Sequence, residues 1–137
     1  MKKFLLSWLV IFVLAMGTDF LIHGLALHPD YLALPNLMRT EADSQKYFHW
    51  MLLAHVLMTG AFVWIYEQGR TSRPWLLQGL RFGLAMACLF AIPTFLIYYV
   101  VQPTPGMLVV KQCVLDTARL LLLGVVVGVG QQAFLHA

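Results

Sequence analysis

The sequence predicts an all-α fold, an integral membrane protein built as an antiparallel, up-and-down bundle of four transmembrane helices. The first observation is composition, since 61% of the 137 residues are hydrophobic and only 11% are charged. The second is a mean hydropathy of +0.78. The third is the presence of four long apolar runs separated by polar segments. A chain of this length has more apolar surface than a globular core could hide, so lipid is the expected solvent.

The four apolar runs form a single predicted transmembrane domain that occupies residues 1–137. We place the spans at residues 4–27, 47–66, 76–101 and 107–130. The N-terminus is similar to a signal peptide, but its apolar pattern continues to Leu27. Because signal-peptide apolar regions run to only ~7–15 residues, we predict an uncleaved first helix. Between the first two spans, Thr40 is in position to cap a short interfacial helix that starts at Glu41.

Basic residues predict the orientation of these helices. Apart from Arg119, they lie at or near the ends of the apolar runs, and they form no basic stripe, which argues against a nucleic-acid partner despite a net charge of +3. The rule that cytoplasmic loops are rich in Lys and Arg places both termini in the cytoplasm. The residues on the predicted cytoplasmic side are Lys2, Lys3, Arg70 and Arg73, against Arg39 and Lys46 on the other side.

Small residues recur every four positions in the third and fourth spans. Such ladders let helices approach closely, so they predict packing within the bundle, a homo-oligomer or contact with a membrane partner. The ladder residues are Gly79, Gly83, Ala87 and Ala91 in the third span, and Gly124 and Gly128 in the fourth. Pro93 is expected to kink the third helix and to open room for a ligand or water.

Five ionisable residues are predicted to form a polar layer inside the bundle. Each charge costs roughly 2.5–3.5 kcal/mol at the centre of a membrane helix, so these groups should face protein or water. Asp19, His55 and Asp116 share a depth of roughly 12–14 Å, counted from the outer ends of their helices at ~1.5 Å per residue. His23 follows Asp19, and Arg119 follows Asp116, at a spacing that puts each pair on one face of its helix. The layer contains Asp19, His23, His55, Asp116 and Arg119.

The layer is compatible with several functions, which the sequence leaves open. We predict that the five residues bind a small ligand, a lipid or a partner subunit in an outward-facing pocket beneath the turn at residues 103–105. A membrane enzyme or redox subunit is one alternative, with a metal held by His23, His55 and Asp19, or a haem held by either histidine. Arg119 would repel a metal cation, and no haem attachment motif or other cofactor motif is present.

Two further interpretations remain for the same residues. Proton-coupled transport of a small solute would use Asp19 or His55 as a relay. A purely structural hydrogen-bond network, with Arg119 neutralising Asp116, would only order the helices. Nucleophilic catalysis has little support, because the serines lie in loops or at span ends, away from the layer.

Short phrases distributed along the chain resemble a family of small four-helix bacterial inner-membrane proteins of uncharacterised function. The phrases are DFLIHG at 19–24, WIYE at 64–67, GLRFGL at 79–84, IYY at 97–99 and QPTPG at 102–106. The resemblance covers nearly the whole chain. It implies four spans and a location in the bacterial inner membrane, and it carries over no activity.

Overall fold

A computed structural model of the protein describes residues 1–71 and 74–136, with the backbone alone for 133–136. Helices make up about 85% of the chain, and the described residues contain no strand. The helices are α1 (Lys2–Asp19), continued by a π-helical segment (Phe20–Ala26), then α2 (His28–Leu32), α3 (Glu41–Lys46), α4 (Phe48–Gln68), α5 (Trp75–Met86), a second π-helical segment (Ala87–Ala91), α6 (Ile92–Val101) and α7 (Gly106–His136).

Four apolar helices within the described residues are long enough to cross a membrane. We call them the first (Lys2–Ala26), second (Phe48–Gln68), third (Trp75–Val101) and fourth (Gly106–Gln132) apolar helices. They coincide with the four predicted runs to within a few residues at each end. The prediction of an all-helical fold with four long apolar helices is therefore confirmed.

The core lies where the first, second and fourth apolar helices meet α5. Phe62 and Tyr66 of α4 pack edge-on against Phe82 of α5, with ring centroids 4.7 and 5.2 Å apart. Trp8 donates to the Val56 carbonyl and to Thr59, at 3.1 Å in each case, which joins α1 to α4. The core also contains Ile11, Ala15, Val63, Ala87, Leu123 and Val127.

Glycines allow α5 and α7 to lie in direct backbone contact. A Cβ on Gly83 would lie 2.8 Å from the Leu121 Cα, and one on Gly79 would lie 2.9 Å from the Gly124 carbonyl carbon. The ladder glycines are thus used inside this chain, in agreement with their interpretation as packing devices. An oligomer or a partner contact through the same residues stays a prediction.

Pro93 is accommodated by a change of helix type. The π-helical segment Ala87–Ala91 ends just before it, and Pro93 is the second residue of α6. Pro93 lies inside the continuous third apolar helix, where a proline has no N–H to donate, and the helix is π-helical in the turn that precedes it. The other π-helical segment, Phe20–Ala26, contains His23 and was not predicted. Single π-turns often occur at functional sites, and these two lie on neighbouring sides of the same cavity.

The polar connection between the first two apolar helices folds back over one end of the bundle. Thr40 accepts a hydrogen bond from the Asp43 backbone N–H at 3.3 Å and caps α3, as predicted. Asp30 of α2 binds the Lys111 ammonium of α7 at 2.9 Å. This ion pair lies between α2 and α7, next to Tyr31, which contacts the polar layer.

A second polar network joins the helices near the termini. Gln131 donates to Ser7 at 3.2 Å and to Glu67 at 2.8 Å, and it accepts from Arg70 at 3.2 Å. Arg70, counted above as an orientation signal, thus also links the end of the second apolar helix to α7. Arg73, the other basic residue of that loop, lies outside the described residues.

Candidate functional site

Arg119 lies between two carboxylates at the centre of the polar layer. Its Nη2 is 2.9 Å from Oδ1 of Asp116, and its Nη1 binds Oδ1 of Asp19. Asp116 is only 1% exposed. The expected ion pair between Asp116 and Arg119 is therefore present. Oδ1 of Asp116 nevertheless accepts no hydrogen bond of good geometry. Asp19 makes the group a triad, which spacing within a single helix could not reveal.

His23 connects the triad to the polar connection between the first two apolar helices. Its Nε2 lies 3.1 Å from Oδ2 of Asp116, and its Nδ1 lies 2.6 Å from the Tyr31 hydroxyl. The Tyr31 oxygen also accepts from the Gln112 side chain at 3.2 Å. We assign the tautomer that satisfies all three contacts, in which Tyr31 donates to Nδ1 and the Nε2–H donates to Asp116.

Tyr31 is a site residue that the sequence analysis missed. It lies eight positions after His23 in a short helix outside the apolar runs, and no helical spacing relates the two. Burial raises the pKa of its phenol, and the negative charges of Asp116, Asp19 and Asp30 raise it further. The hydrogen bond from Gln112 acts in the opposite direction. The phenol is therefore held in its neutral form, as a donor to His23 requires.

His55 lies at the edge of the cluster. It is buried, and its Nδ1–H donates to the Met51 carbonyl at 2.9 Å. Its Nε2 is 3.7 Å from Oδ2 of Asp19 and has no hydrogen-bond partner. His55 thus approaches the triad through Asp19 alone, and it does not line the neighbouring cavity.

A cavity of about 790 Å³ lies beside the cluster. One wall is an apolar face of α4 that runs from Ala54 to Ile65, and the opposite wall comes from Met86 to Phe95 of the third apolar helix. Its polar end contains Asp19, His23, Tyr31, Asp116 and Arg119. Lining residues on both walls are exposed, Leu57 and Met58 on α4 and Phe90 on the third apolar helix, so the cavity is reached from the side of the bundle.

The lateral position of this cavity corrects the location expected from the sequence. The turn at 103–105 does not line it. Gln102 and Thr104 instead border a separate cavity of about 190 Å³, which shares Tyr31 and Phe95 with the larger one. The depth of a residue along its own helix can be counted from the sequence. The gap between α4 and the third apolar helix cannot, because it depends on how the helices are arranged around the bundle.

The fold brings together two of the three metal ligands expected from the sequence, Asp19 and His23, with Asp116 in place of His55. Among the described residues, Asp19, His23 and Asp116 offer ligand atoms that lie within 4.8 Å of one another, whereas His55 is not part of this group. Arg119 pairs with both carboxylates. A divalent ion bound there would have to displace the guanidinium or lie next to it, so the residues fit a metal poorly.

The histidines fit an axial haem ligand no better. Both nitrogens of His23 already have hydrogen-bond partners, Tyr31 and Asp116. The free Nε2 of His55 faces Asp19, and His55 is not part of the cavity wall. Neither imidazole therefore presents an unoccupied nitrogen to the cavity, which is what coordination of a haem iron requires.

Comparison with protein-family models, with curated proteins and with solved structures found no match to this chain. The function of the protein must therefore be inferred from the cavity and from the charged cluster at its end.

Proposed function

We propose that the protein is a four-span membrane protein that binds an amphipathic small molecule in the lateral cavity. The observation that carries this proposal is the composition of the cavity wall, which is apolar along α4 and the third apolar helix and charged at one end. Ligand sites combine mostly apolar walls with a few polar groups that fix orientation, in volumes of about 300–1,000 Å³. The apolar part of the ligand would lie between the two helices, with its polar group at Asp19 and Arg119.

The molecular surface supports insertion of the four apolar helices into a bilayer. Large apolar side chains such as Leu9, Leu57 and Ile97 are more than half exposed. Contacts between α5 and α7 pair Gly79 with Gly124 and Gly83 with Leu120, an order that supports antiparallel neighbours. Entry to the cavity from the side would then be entry from the hydrocarbon phase, which suits a ligand that partitions into lipid.

The proposed orientation has both termini in the cytoplasm, and the resemblance noted above supports the bacterial inner membrane. Lys2, Lys3 and Arg70 are the described residues that favour it. Reporter fusions after residue 132 and within the loop between α4 and α5 should give cytoplasmic signals. A periplasmic signal at either position would contradict this orientation without affecting the cavity.

Photolabelling can test the binding site directly. The probe is octanol that carries a diazirine, applied to the protein in lipid nanodiscs and mapped by peptide mass spectrometry. Labelling of the α4 segment from Ala54 to Ile65 and of the segment from Met86 to Phe95 should saturate and should be reduced by unmodified octanol. Ala61→Trp places a bulky indole on the α4 wall of the cavity and should reduce this saturable labelling.

Lipid-exposed positions provide the internal control for this experiment. Val13 of α1 and Val114 of α7 are exposed and lie outside the cavity lining, so their labelling should increase in proportion to probe concentration and should be unaffected by Ala61→Trp. Labelling that is equally unsaturable at the cavity walls and on α1 would mean that the cavity binds nothing. The proposal would then be wrong.

The hydrogen-bonded series Gln112, Tyr31, His23 and Asp116 supports proton-coupled transport as a second candidate. It connects the smaller cavity under the loop to the buried triad through contacts of 3.2, 2.6 and 3.1 Å. Proteoliposomes that contain a pH-sensitive dye would test it, because Tyr31→Phe removes the hydroxyl and should stop proton uptake. Equal uptake by wild type and variant would exclude this route.

A further inference from the structure

Two aromatic side chains separate the lateral cavity from the smaller cavity at the end of the bundle. Tyr31 and Phe95 line both cavities, and among the described residues the two linings share no other side chain. Met38 and Tyr99 line the smaller cavity alone and are exposed, so this cavity opens at the molecular surface. We call Tyr31 and Phe95 the partition, because they lie between an opening at the side of the bundle and one at its end.

The two members of the partition are held with different strength. The Tyr31 hydroxyl is hydrogen-bonded to Nδ1 of His23 at 2.6 Å and to the Gln112 side chain at 3.2 Å. Phe95 has no polar atom in its side chain, and its ring contacts the His23 ring with centroids 6.4 Å apart. Displacement of Phe95 therefore breaks no side-chain hydrogen bond, whereas displacement of Tyr31 breaks two.

Phe95 follows a break in the hydrogen bonding of the third apolar helix. The N–H of Ile92 donates to the carbonyl of Ala87, one residue further back than in an α-helix. Pro93 has no N–H to donate. Helices bend most often at prolines and at π-turns, and here both occur together. The segment just before Phe95 is therefore the part of this helix that bends at the least cost.

The two sides of this break are packed differently. On the N-terminal side, α5 lies in backbone contact with α7 through Gly79 and Gly83, which leaves no space for movement there. On the other side, α6 lies wholly within the described residues and contains no buried side chain. Its apolar side chains, such as Ile97 and Val101, are exposed and would meet fluid lipid in a membrane. Movement of α6 would thus displace Phe95 while α5 stays in place.

We infer that the protein transfers its amphipathic ligand between the lipid and the end of the bundle, through an opening that forms when α6 displaces Phe95 from the partition. The lateral cavity accepts the ligand from lipid through its side opening. The smaller cavity adds the neutral polar side chains of Gln102, Thr104 and Gln112, which can hydrogen-bond the polar group of the ligand as it leaves the apolar walls. This inference rests on the proposed function and extends it from binding to transfer.

Access of a water-soluble reagent to the lateral cavity tests this opening. The reagent is MTSET, a methanethiosulfonate whose permanent positive charge keeps it out of lipid. Its target is Met58→Cys, because Met58 lines the lateral cavity and lies outside the smaller one. Cys88 and Cys113 are first replaced by alanine, and the protein is held in nanodiscs that expose both faces. Mass spectrometry of the modified fraction over time gives the rate.

Variants of the partition give the main comparison. Phe95→Ala removes the ring and should raise the rate by about tenfold or more, because a minor open state is usually populated at only about 0.1–10%. Phe95→Leu removes less of the side chain and should raise the rate less, so it replaces Phe95→Ala if that variant fails to fold. Leu96→Ala is the matched control, since Leu96 is exposed, lines neither cavity and should leave the rate unchanged. Circular dichroism and size-exclusion chromatography establish that each variant is folded.

Two further variants test the route and the bend. Thr104→Trp places an indole on the wall of the smaller cavity and should lower the rate, because the reagent enters from the end of the bundle. Pro93→Ala restores an N–H and should also lower the rate, because the additional helical hydrogen bond stiffens the helix. In combination with Phe95→Ala, Pro93→Ala should have no effect, since the ring that α6 displaces is already absent.

Two controls belong to the same assay. Octanol occupies the lateral cavity under the proposed function and should slow modification of Met58→Cys. Val13→Cys lies on the exposed face of α1, outside both cavities, and should not react in any variant. Modification of Val13→Cys at the rate of Met58→Cys would show that the reagent arrives through lipid, which would overturn the route through the partition.

The outcomes separate this inference from the proposed function. Rates in Phe95→Ala, or in a folded Phe95→Leu variant, that are no higher than in Leu96→Ala would overturn transfer through the partition. Rates that Thr104→Trp or Pro93→Ala leaves unchanged would overturn it as well. Binding in the lateral cavity would stand in each of these cases if octanol still slows the reaction. Rates that octanol leaves unchanged would refute binding in the lateral cavity, and transfer with it.

Discussion

Replacement of Arg119 should be the most destabilising change in the polar layer. Its guanidinium is the common partner of Asp116 and Asp19, and its side chain is only 10% exposed. Arg119→Gln would leave two carboxylates close together without a cation, one of them 1% exposed. Removal of one partner from a buried ion pair typically costs about 3–5 kcal/mol, and we expect a loss in this range.

Asp116→Asn should cost less, because Arg119 then keeps Asp19. The asparagine oxygen can still accept a hydrogen bond, so we expect a loss of about 1–3 kcal/mol. The double variant should lose less than the sum of the single variants by about 1–3 kcal/mol, because removal of Asp116 also removes a carboxylate that would otherwise be unpaired. Unfolding free energies from mild detergent into SDS, followed by far-UV circular dichroism, provide the measurement.

The Lys111–Asp30 ion pair provides a control on the same helix as Arg119. Its side chains are 45% and 30% exposed, so Lys111→Gln should cost about 0–1 kcal/mol. The interpretation of Arg119 as a shared partner would be refuted if Arg119→Gln cost no more than Asp116→Asn, or if the two changes were additive. Asp116 and Arg119 would then act separately.

Two further predictions concern packing and pH. Gly83→Leu should destabilise the protein by about 1–3 kcal/mol in the same assay, because its Cβ would meet the α7 backbone, whereas Gly17→Leu, with nothing within 4 Å, should not. The raised pKa of Tyr31 means that the folded protein holds the phenol proton more tightly than the unfolded chain does. Stability should therefore fall as the pH rises above about 10, the ordinary pKa of tyrosine, and Tyr31→Phe should show a smaller fall. Identical pH profiles would contradict the role assigned to Tyr31.

The helices and part of the charged cluster could be predicted because they depend on local sequence. Length and hydropathy identify the four apolar helices, and counting residues along each helix places Asp19 and Asp116 at one depth. The same counting brings Arg119 next to Asp116, where the structure has it. A transmembrane-length helix has a fixed rise per residue, so depth can be calculated without knowledge of its neighbours.

The parts that could not be predicted depend on arrangement around the bundle. His55 has the expected depth, but its ring turns toward Met51 and approaches only Asp19. Tyr31 reaches His23 because α2 folds back against α7, where Asp30 contacts Lys111 across 81 positions. Neither the rotation of one helix against another nor the path of a polar connection follows from hydrophobic periodicity.

Native mass spectrometry of the protein released from nanodiscs tests the central claim, a ligand in the lateral cavity, most directly. The wild type, exposed to a cellular lipid extract before release, should retain one amphipathic molecule per chain. Ala61→Trp, which places a bulky indole on the cavity wall, should show a smaller fraction of the ligand-bound mass. A wild type that carries no molecule, or a variant that retains the same molecule to the same extent, would contradict the claim.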